Sequence, residues 1–268
     1  MNFRDYTAID AVNWSSLKAL HESPLQYRHQ QQHPPADKPA WVLGRAAHCA
    51  ILEPGELMER YTIWTGGRRA GKKWELFKLG ALEAGQEVIT AKEMNDVNEM
   101  SYAVLHHEAA AKALSGGRAE VTMEWTDPVT NLACKGRADY VRSTRLVDLK
   151  TARSVAPRQF MRAAADYLYH GQVAFYHWGS MASGQFSEAP QAPAIVAVQS
   201  SPPWDVAVYE FTPETLDAGR RLYRQLLDRL HECQTADWWP GVAPAPAALE
   251  LPGWAAGVED EGPDGEVF

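Results

Sequence analysis

Leu17, Leu20 and Tyr27 form a rough apolar stripe at helical spacing, which predicts helix from Asn13 to Gln32. Pro24 lies inside that span and starts a second helix or a kink. The polar His33-Pro34-Pro35 ends it. Trp41 to Leu52 is the next predicted helix, stopped by Pro54-Gly55. Gly66-Gly67-Arg68-Arg69-Ala70-Gly71-Lys72-Lys73 then reads as a glycine-rich, basic loop. Met94, Val97, Val104 and Leu105 recur at helical spacing and predict one long helix over 91–114, terminated by Gly116-Gly117.

Beyond Gly117 the pattern shifts to short β-prone runs over 120–125, 132–141, 146–150, 195–199 and 206–211. A helical segment over 157–181 separates the third run from the fourth, and a helix over 213–234 follows the fifth. Helices first, then three strands, helix, two strands and helix imply a mixed sheet with helices packed against it, an α/β fold. No repeat at a solenoid period is visible. Past Trp239-Pro240 the chain is rich in Ala, Pro, Gly and acid, the composition of a disordered tail.

Composition narrows the class. Of the 268 residues, 46% are apolar and 22% charged, enough apolar material for a sizeable core. No apolar run is long enough to span a membrane, and Met1 to Tyr6 carries no signal-peptide core, so a cytoplasmic protein is expected. Cys49, Cys134 and Cys233 are too few and too scattered for a disulfide framework or a four-cysteine zinc site. The net charge of −8 argues at first against a nucleic-acid partner. However, Glu250, Glu259, Asp260, Glu261, Asp264 and Glu266 supply six of those negative charges from residues 241–268, where no Lys or Arg stands. A basic groove elsewhere therefore stays open.

The informative chemistry lies in Lys135-Gly136-Arg137-Ala138-Asp139 and Val147-Asp148-Leu149-Lys150. If the second and third strands form a hairpin turning at Ser143-Thr144, position 141 faces 146, 140 faces 147, and Asp139 faces Asp148. Directly opposed residues have Cβ atoms about 4.5–5.5 Å apart. Side-chain alternation puts Lys150 on the face of Asp148 and turns Tyr140 and Val147 to the other. Two carboxylates so placed repel and raise one another's pKa, a conflict that a hard divalent cation removes. Lys150 could then orient a water bound there. A solvated face, with its acids paired to Lys150 or Arg137, fits the same residues. Gly44 and His48 share a helix face, as do Gln172 and Tyr176. Each pair also suits an ordinary half-buried helix edge.

Taken in order, these residues resemble the PD-(D/E)xK nuclease superfamily and, more narrowly, the RecE (exonuclease VIII) type of phage recombination exonuclease. The matches are Gly44-Arg45-Ala46-Ala47-His48 through Leu52-Glu53-Pro54, then Lys135 to Asp139, Val147 to Thr151, and Gln172 with Tyr176. Ser15 to Tyr27 resembles that family's opening helix. Ala138 stands where the superfamily name has Pro, a position that contributes no ligand.

The resemblance implies a PD-(D/E)xK restriction-endonuclease-like core, a mixed central sheet flanked by helices, over residues 1–240, with 241–268 as a tail. It implies Asp139, Asp148 and the Leu149 carbonyl as metal ligands, His48 as a ligand of a second metal, and Glu120 as a weaker member of that cluster. Lys150 would align and activate the attacking water, and Gln172 and Tyr176 would hold the scissile phosphate. Two Mg²⁺ ions, with Mn²⁺ as a substitute, would serve in-line phosphodiester hydrolysis. The implied activity is 5′→3′ digestion of one strand of linear double-stranded DNA. It leaves 3′ overhangs for a single-strand annealing protein, and a homo-oligomeric ring, trimer or tetramer, encloses the duplex. Arg68, Arg69, Lys72 and Lys73 are candidate phosphate contacts, and Arg28 and Arg137 candidates for the 5′ end or the backbone near the cut. The acidic tail suits a solubilising end, or a docking peptide through Trp254 and Val267-Phe268.

Three cysteines fall short of the four that an iron–sulfur nuclease of this superfamily needs. His48-Cys49-Ala50 lacks the Glu of a zinc deaminase. An endonuclease of the same fold, or a non-catalytic DNA-binding scaffold, remains as an alternative.

Overall fold

The computed structural model describes residues 3–35 and 37–251. Trp254, Val267 and Phe268 lie outside the described residues, as does most of the acidic tail. Residues 241–251 form neither helix nor strand.

The chain opens with α1 (Phe3–Ala8), α2 (Trp14–Glu22), α3 (Pro24–Gln32) and α4 (Pro39–Leu52). Asn13 and Ser16 form a capping box at the start of α2. Ser23 caps α3 with Pro24 at its first position, so the proline starts a second helix, as the sequence implied. After α5 (Leu57–Arg60) comes a small unit that the pattern did not predict. β1 (Tyr61–Trp64) and β2 (Glu87–Thr90) form a two-stranded parallel sheet around α6 (Lys72–Glu83). Lys72 and Lys73, expected in a loop, therefore stand in the first turn of α6.

The long helix expected over 91–114 is two helices, α7 (Ala91–His106) and α8 (Glu108–Ala113). His107 leaves the helical conformation, and its ring caps the Ala110 N–H. Apolar spacing runs on through such a break, so periodicity does not reveal it. The rest is β3 (Arg118–Thr126), β4 (Ala133–Val141), β5 (Leu146–Ala152), α9 (Pro157–Asp166), α10 (Tyr169–Ala182), β6 (Ala194–Gln199), β7 (Val206–Glu210) and α11 (Pro213–Ala236).

The five strands lie in sequence order, β3-β4-β5-β6-β7. Only β5 and β6 are parallel, and α9 and α10 supply the crossover that a parallel pair requires. One face packs on α2, α10 and α11 through Leu17, Met123, Phe175, Ile195 and Leu227. The other packs on α4, α7 and α8 through Ala46, Val97, Leu149 and Val196. Phe175 is fully buried among Trp14, Trp125 and Tyr223. Burial of such a ring contributes roughly 2–3 kcal/mol. The result is a mixed sheet between two helical layers, with Asp139, Asp148 and Lys150 placed where β4 and β5 part.

Candidate active site

β4 and β5 pair only at Tyr140–Val147 and Val141–Leu146, with a bond from the Arg142 N–H to the Arg145 carbonyl (2.9 Å) closing the turn. That is the expected register, but it ends one step short of the aspartates. Asp139 and Asp148 are not a ladder pair. Instead the Leu149 N–H donates to the Asp139 carboxylate at 2.7 Å, so a side chain replaces a backbone acceptor where the strands diverge. Two opposed carboxylates would repel, whereas this geometry gives Asp139 a donor. The edge of β4 thus exposed is taken by the segment before α2. Val12 N–H bonds to the Ala133 carbonyl, and Lys135 N–H to the Val12 carbonyl, each at 2.8 Å.

On its other edge, β4 pairs with β3 at 119–140 and 121–138, with a gap between. Glu120 fills that gap at φ 50, in the left-handed region. For a non-glycine residue this costs on the order of 1–2 kcal/mol. His48 reaches the same place from α4, its Nδ1 3.6 Å from Asp139 Oδ1. A Cβ on Gly44, one turn earlier, would meet Thr151 Oγ1 at 3.4 Å, so the glycine lets α4 lie close to β5. Ligand atoms of His48, Glu120 and Asp139 all lie within 4.8 Å of one another.

Asp148 sits deeper, 1% exposed, and is ion-paired with Lys150. The Lys150 Nζ lies 5.0 Å from the centroid of the Tyr169 ring. Tyr176 is buried, one helical turn from Gln172 on α10. Its ring fits against β4 because residue 136 is glycine; a Cβ there would come 3.0 Å from the ring.

Burial and charge act differently on each group. Burial works against the charged Asp139, yet His48, Lys150 and the Leu149 N–H hold its pKa below the usual carboxylate value. Burial pushes Asp148 up to about 6, against the pull of Lys150 and with the Asp139 charge adding to the rise. Burial likewise raises Glu120, helped by Asp139 and opposed by Arg137 and His48. Burial disfavours the charged Lys150, but Asp148 and then Asp139 outweigh it and keep the amine protonated. His48 follows the same logic: burial opposes its charge, and Asp139 raises its pKa on balance. Burial above all raises Tyr176, which stays a phenol able to donate.

This donor set fits a divalent cation. It offers carboxylate oxygens from Glu120 and Asp139 and one imidazole close together, where burial, and secondly the Asp139 charge, raises the Glu120 pKa. Glu120, the weaker expectation, stands in the tightest group of donors. Asp148 does not, because it is engaged with Lys150.

The expected DNA contacts are dispersed. Arg68, Lys72 and Lys73 are exposed. Arg69 instead turns inward to Glu93 and the Val88 carbonyl, where it braces the start of α7. Arg137 is 9% exposed and ion-paired with Glu120 at 2.6 Å. Arg28 pairs with Asp237 and lies 5.5 Å over the Trp239 ring. Sequence reasoning missed Tyr169, although it shares a helix face with Gln172 and Tyr176 by its spacing. It also missed Lys135, whose buried Nζ holds the carbonyls of Tyr6 (2.9 Å) and Ile9 (2.7 Å) at the end of α1. That contact spans more than 120 residues and has no local signal. Cys49, Cys134 and Cys233 are free, buried thiols. Among the described residues, no helix is long and apolar enough to cross a membrane.

None of the curated proteins matches this chain. Among solved structures, a candidate exonuclease from Eubacterium rectale matches with a TM-score of 0.66 at 14% identity, covering 94% of this chain and 95% of that one. This likeness shows the fold. A phage-related exonuclease from Haemophilus somnus covers 83% of this chain and 95% of its own at 9% identity, with a TM-score of 0.35. The model of a protein family described as a PDDEXK-like domain of unknown function (DUF3799) matches residues 13–247. With nearly the whole described chain inside that match and the acidic site at the parting of two strands, the chain belongs to this PDDEXK-like family.

Proposed function

We propose that the protein is a metal-dependent deoxyribonuclease acting from the ends of linear double-stranded DNA. The observation that carries the reading is the convergence of His48, Glu120, Asp139, Asp148 and Lys150 from one helix and three strands. A merely structural role would not explain a left-handed Glu120 or a buried Asp148 at that point. His48, Glu120, Asp139, Asp148 and the Leu149 carbonyl are the groups that would hold Mg²⁺ or Mn²⁺. When bound, the cation supplies positive charge at the phosphate oxygens during hydrolysis.

The chain's own groups do the rest. Lys150, kept protonated by its two aspartates, donates a hydrogen bond to the attacking water and aims it in line with the leaving oxygen. Tyr176 and Gln172 donate to the phosphate and fix its orientation. The phosphorus–oxygen bond to water forms as the bond to the sugar oxygen breaks; the attacking water gives up its proton to solvent and the sugar oxygen takes one from solvent, with no covalent enzyme intermediate.

The likeness of the quoted motifs to RecE-type enzymes supports a finer reading. In it, digestion runs 5′→3′ and leaves 3′ overhangs for a single-strand annealing partner, and several copies enclose the duplex. Exposed Arg68, Lys72 and Lys73 are the remaining candidates for phosphate contact in their segment. The test is digestion of linear duplexes labelled separately at each 5′ and 3′ end, beside closed circular plasmid, with and without Mg²⁺. Release from 5′ ends of linear DNA alone, only with Mg²⁺, is the expected result. Cutting of the closed circle would point to an endonuclease. No release from any substrate would end the nuclease reading.

A further inference from the structure

Between α9 and α10 a single residue, Leu168, takes the left-handed conformation at φ 58. This is a bulky residue where glycine would be at ease, at a cost of about 1–2 kcal/mol. The inversion brings its two neighbours, Tyr167 and Tyr169, to one side. Their ring centroids are 5.8 Å apart, with 29° between the planes. Tyr169 faces the Lys150 amine on one hand and is backed by Phe160 at 6.2 Å on the other. Tyr167 lies further out and is 55% exposed. The Lys18 Nζ, from α2, rests 5.3 Å from its centroid. Lys150, Tyr169, Tyr167 and Lys18 thus form a row from the site to the surface. Burial, and secondly the charge of Lys150, lowers the Lys18 pKa, so the two amines share one local field.

Such a row has the chemistry of nucleic acid in the right alternation. An exposed phenol ring offers a face to a base, and an ammonium offers charge to a phosphate. A base inside a duplex has both faces covered by its neighbours, so the ring selects one that has left the stack. We propose that Tyr167 and Lys18 form a subsite for an unpaired nucleotide adjoining the scissile phosphate, with the base on the Tyr167 ring and its phosphate on Lys18. On binding, the ammonium leaves the ring for the phosphate and the base takes its place. Tyr169 keeps the ring stack in line with Lys150. The strained Leu168 fixes this geometry by holding both tyrosines on the same side. The inference rests on the nuclease reading and adds a preference for a frayed or single-stranded end.

The experiment measures binding of a fluorescein-labelled oligothymidylate and of a blunt, closed-end hairpin duplex to the full chain in EDTA, so that nothing is cut. Tyr167→Ala should weaken oligothymidylate binding roughly 5- to 100-fold, the worth of one base–aromatic stack, and change duplex binding less than about twofold. Tyr167→Phe, which keeps the ring, should restore the affinity. Lys18→Ala, on a different helix, should reduce the slope of log affinity against log salt by about 0.7, one phosphate contact on a single strand. Equal affinity of Tyr167→Ala and the wild type, or no oligothymidylate binding by the wild type, overturns the subsite. Mg²⁺-dependent digestion by the wild type is scored separately, so a failed subsite and a failed nuclease assignment give different results.

Discussion

Asp139 and Asp148 stand at the same parting of β4 and β5, yet their surroundings drive them in opposite directions. Burial penalises charge on both. Asp139 offsets it with His48, Lys150 and the Leu149 N–H, and its pKa falls. Asp148 is the more deeply buried and depends chiefly on the Lys150 ion pair, and its pKa rises to about 6. The difference teaches that depth alone does not set a carboxylate's state. The donors facing it do, and a strand that leaves its ladder can supply one. Their surroundings thus push the two carboxyl pKa values apart, Asp139 down and Asp148 up.

The largest expected effects fall on the deeper pocket. Asp148→Ala and Lys150→Ala should each lower Mg²⁺-dependent release of nucleotides from linear duplex by on the order of 10³-fold or more. They should differ in stability. Asp148→Ala leaves the buried ammonium with only Asp139 to offset it, whereas Lys150→Ala leaves an acid that can take up a proton. Urea titration should therefore show the greater loss in Asp148→Ala, roughly 3 kcal/mol or more. Similar losses in both would erase the contrast.

The shallower pocket should respond less steeply. His48→Ala and Glu120→Gln should each reduce activity about 10- to 100-fold, with partial recovery at raised Mn²⁺. Recovery by added metal separates weakened ion binding from a misplaced backbone. Gly136→Val tests the link to α10. The added carbons would press on Tyr176 and Met123, costing about 1–3 kcal/mol and lowering kcat more than they raise KM. An unchanged kcat would remove Tyr176 from the reaction.

The smallest effect lies outside both pockets and guards against a misreading. His177 is 4% exposed, and burial lowers its pKa to about 4. The ordinary value of 6.5 applies in the unfolded chain, so between these values the unfolded state holds the extra proton. Stability from this residue is present above pH 6.5 and is lost as pH falls towards 4, by about 3 kcal/mol at most. His177→Asn should flatten the decline of Tm across that window and leave cleavage at neutral pH alone. An unchanged decline would assign the acid sensitivity to other groups.

Much of this frame was legible in the sequence. Pro24 marked the joint between α2 and α3, and the β-prone run over 195–199 is β6. Hairpin arithmetic gave the pairing of Tyr140 with Val147. It overran by one residue, because nothing in Ala138-Asp139 marks the point where β5 departs towards β6. Glu120 carries no local signal for a left-handed backbone, nor does Leu168. The four-residue strands β1 and β2 are too short for alternation to declare itself. Arg69 read as a loop phosphate contact because its partner, Glu93, stands 24 positions away.

The proposed cation site needs Asp139 from the His48–Glu120 group and also Asp148, which pairs with Lys150 in this structure. Calorimetric titration of Mn²⁺ into the wild type, Asp139→Asn and Asp148→Asn tests it most directly. The account predicts that each single substitution weakens the tightest binding at least about tenfold. Wild-type affinity in either variant would contradict it.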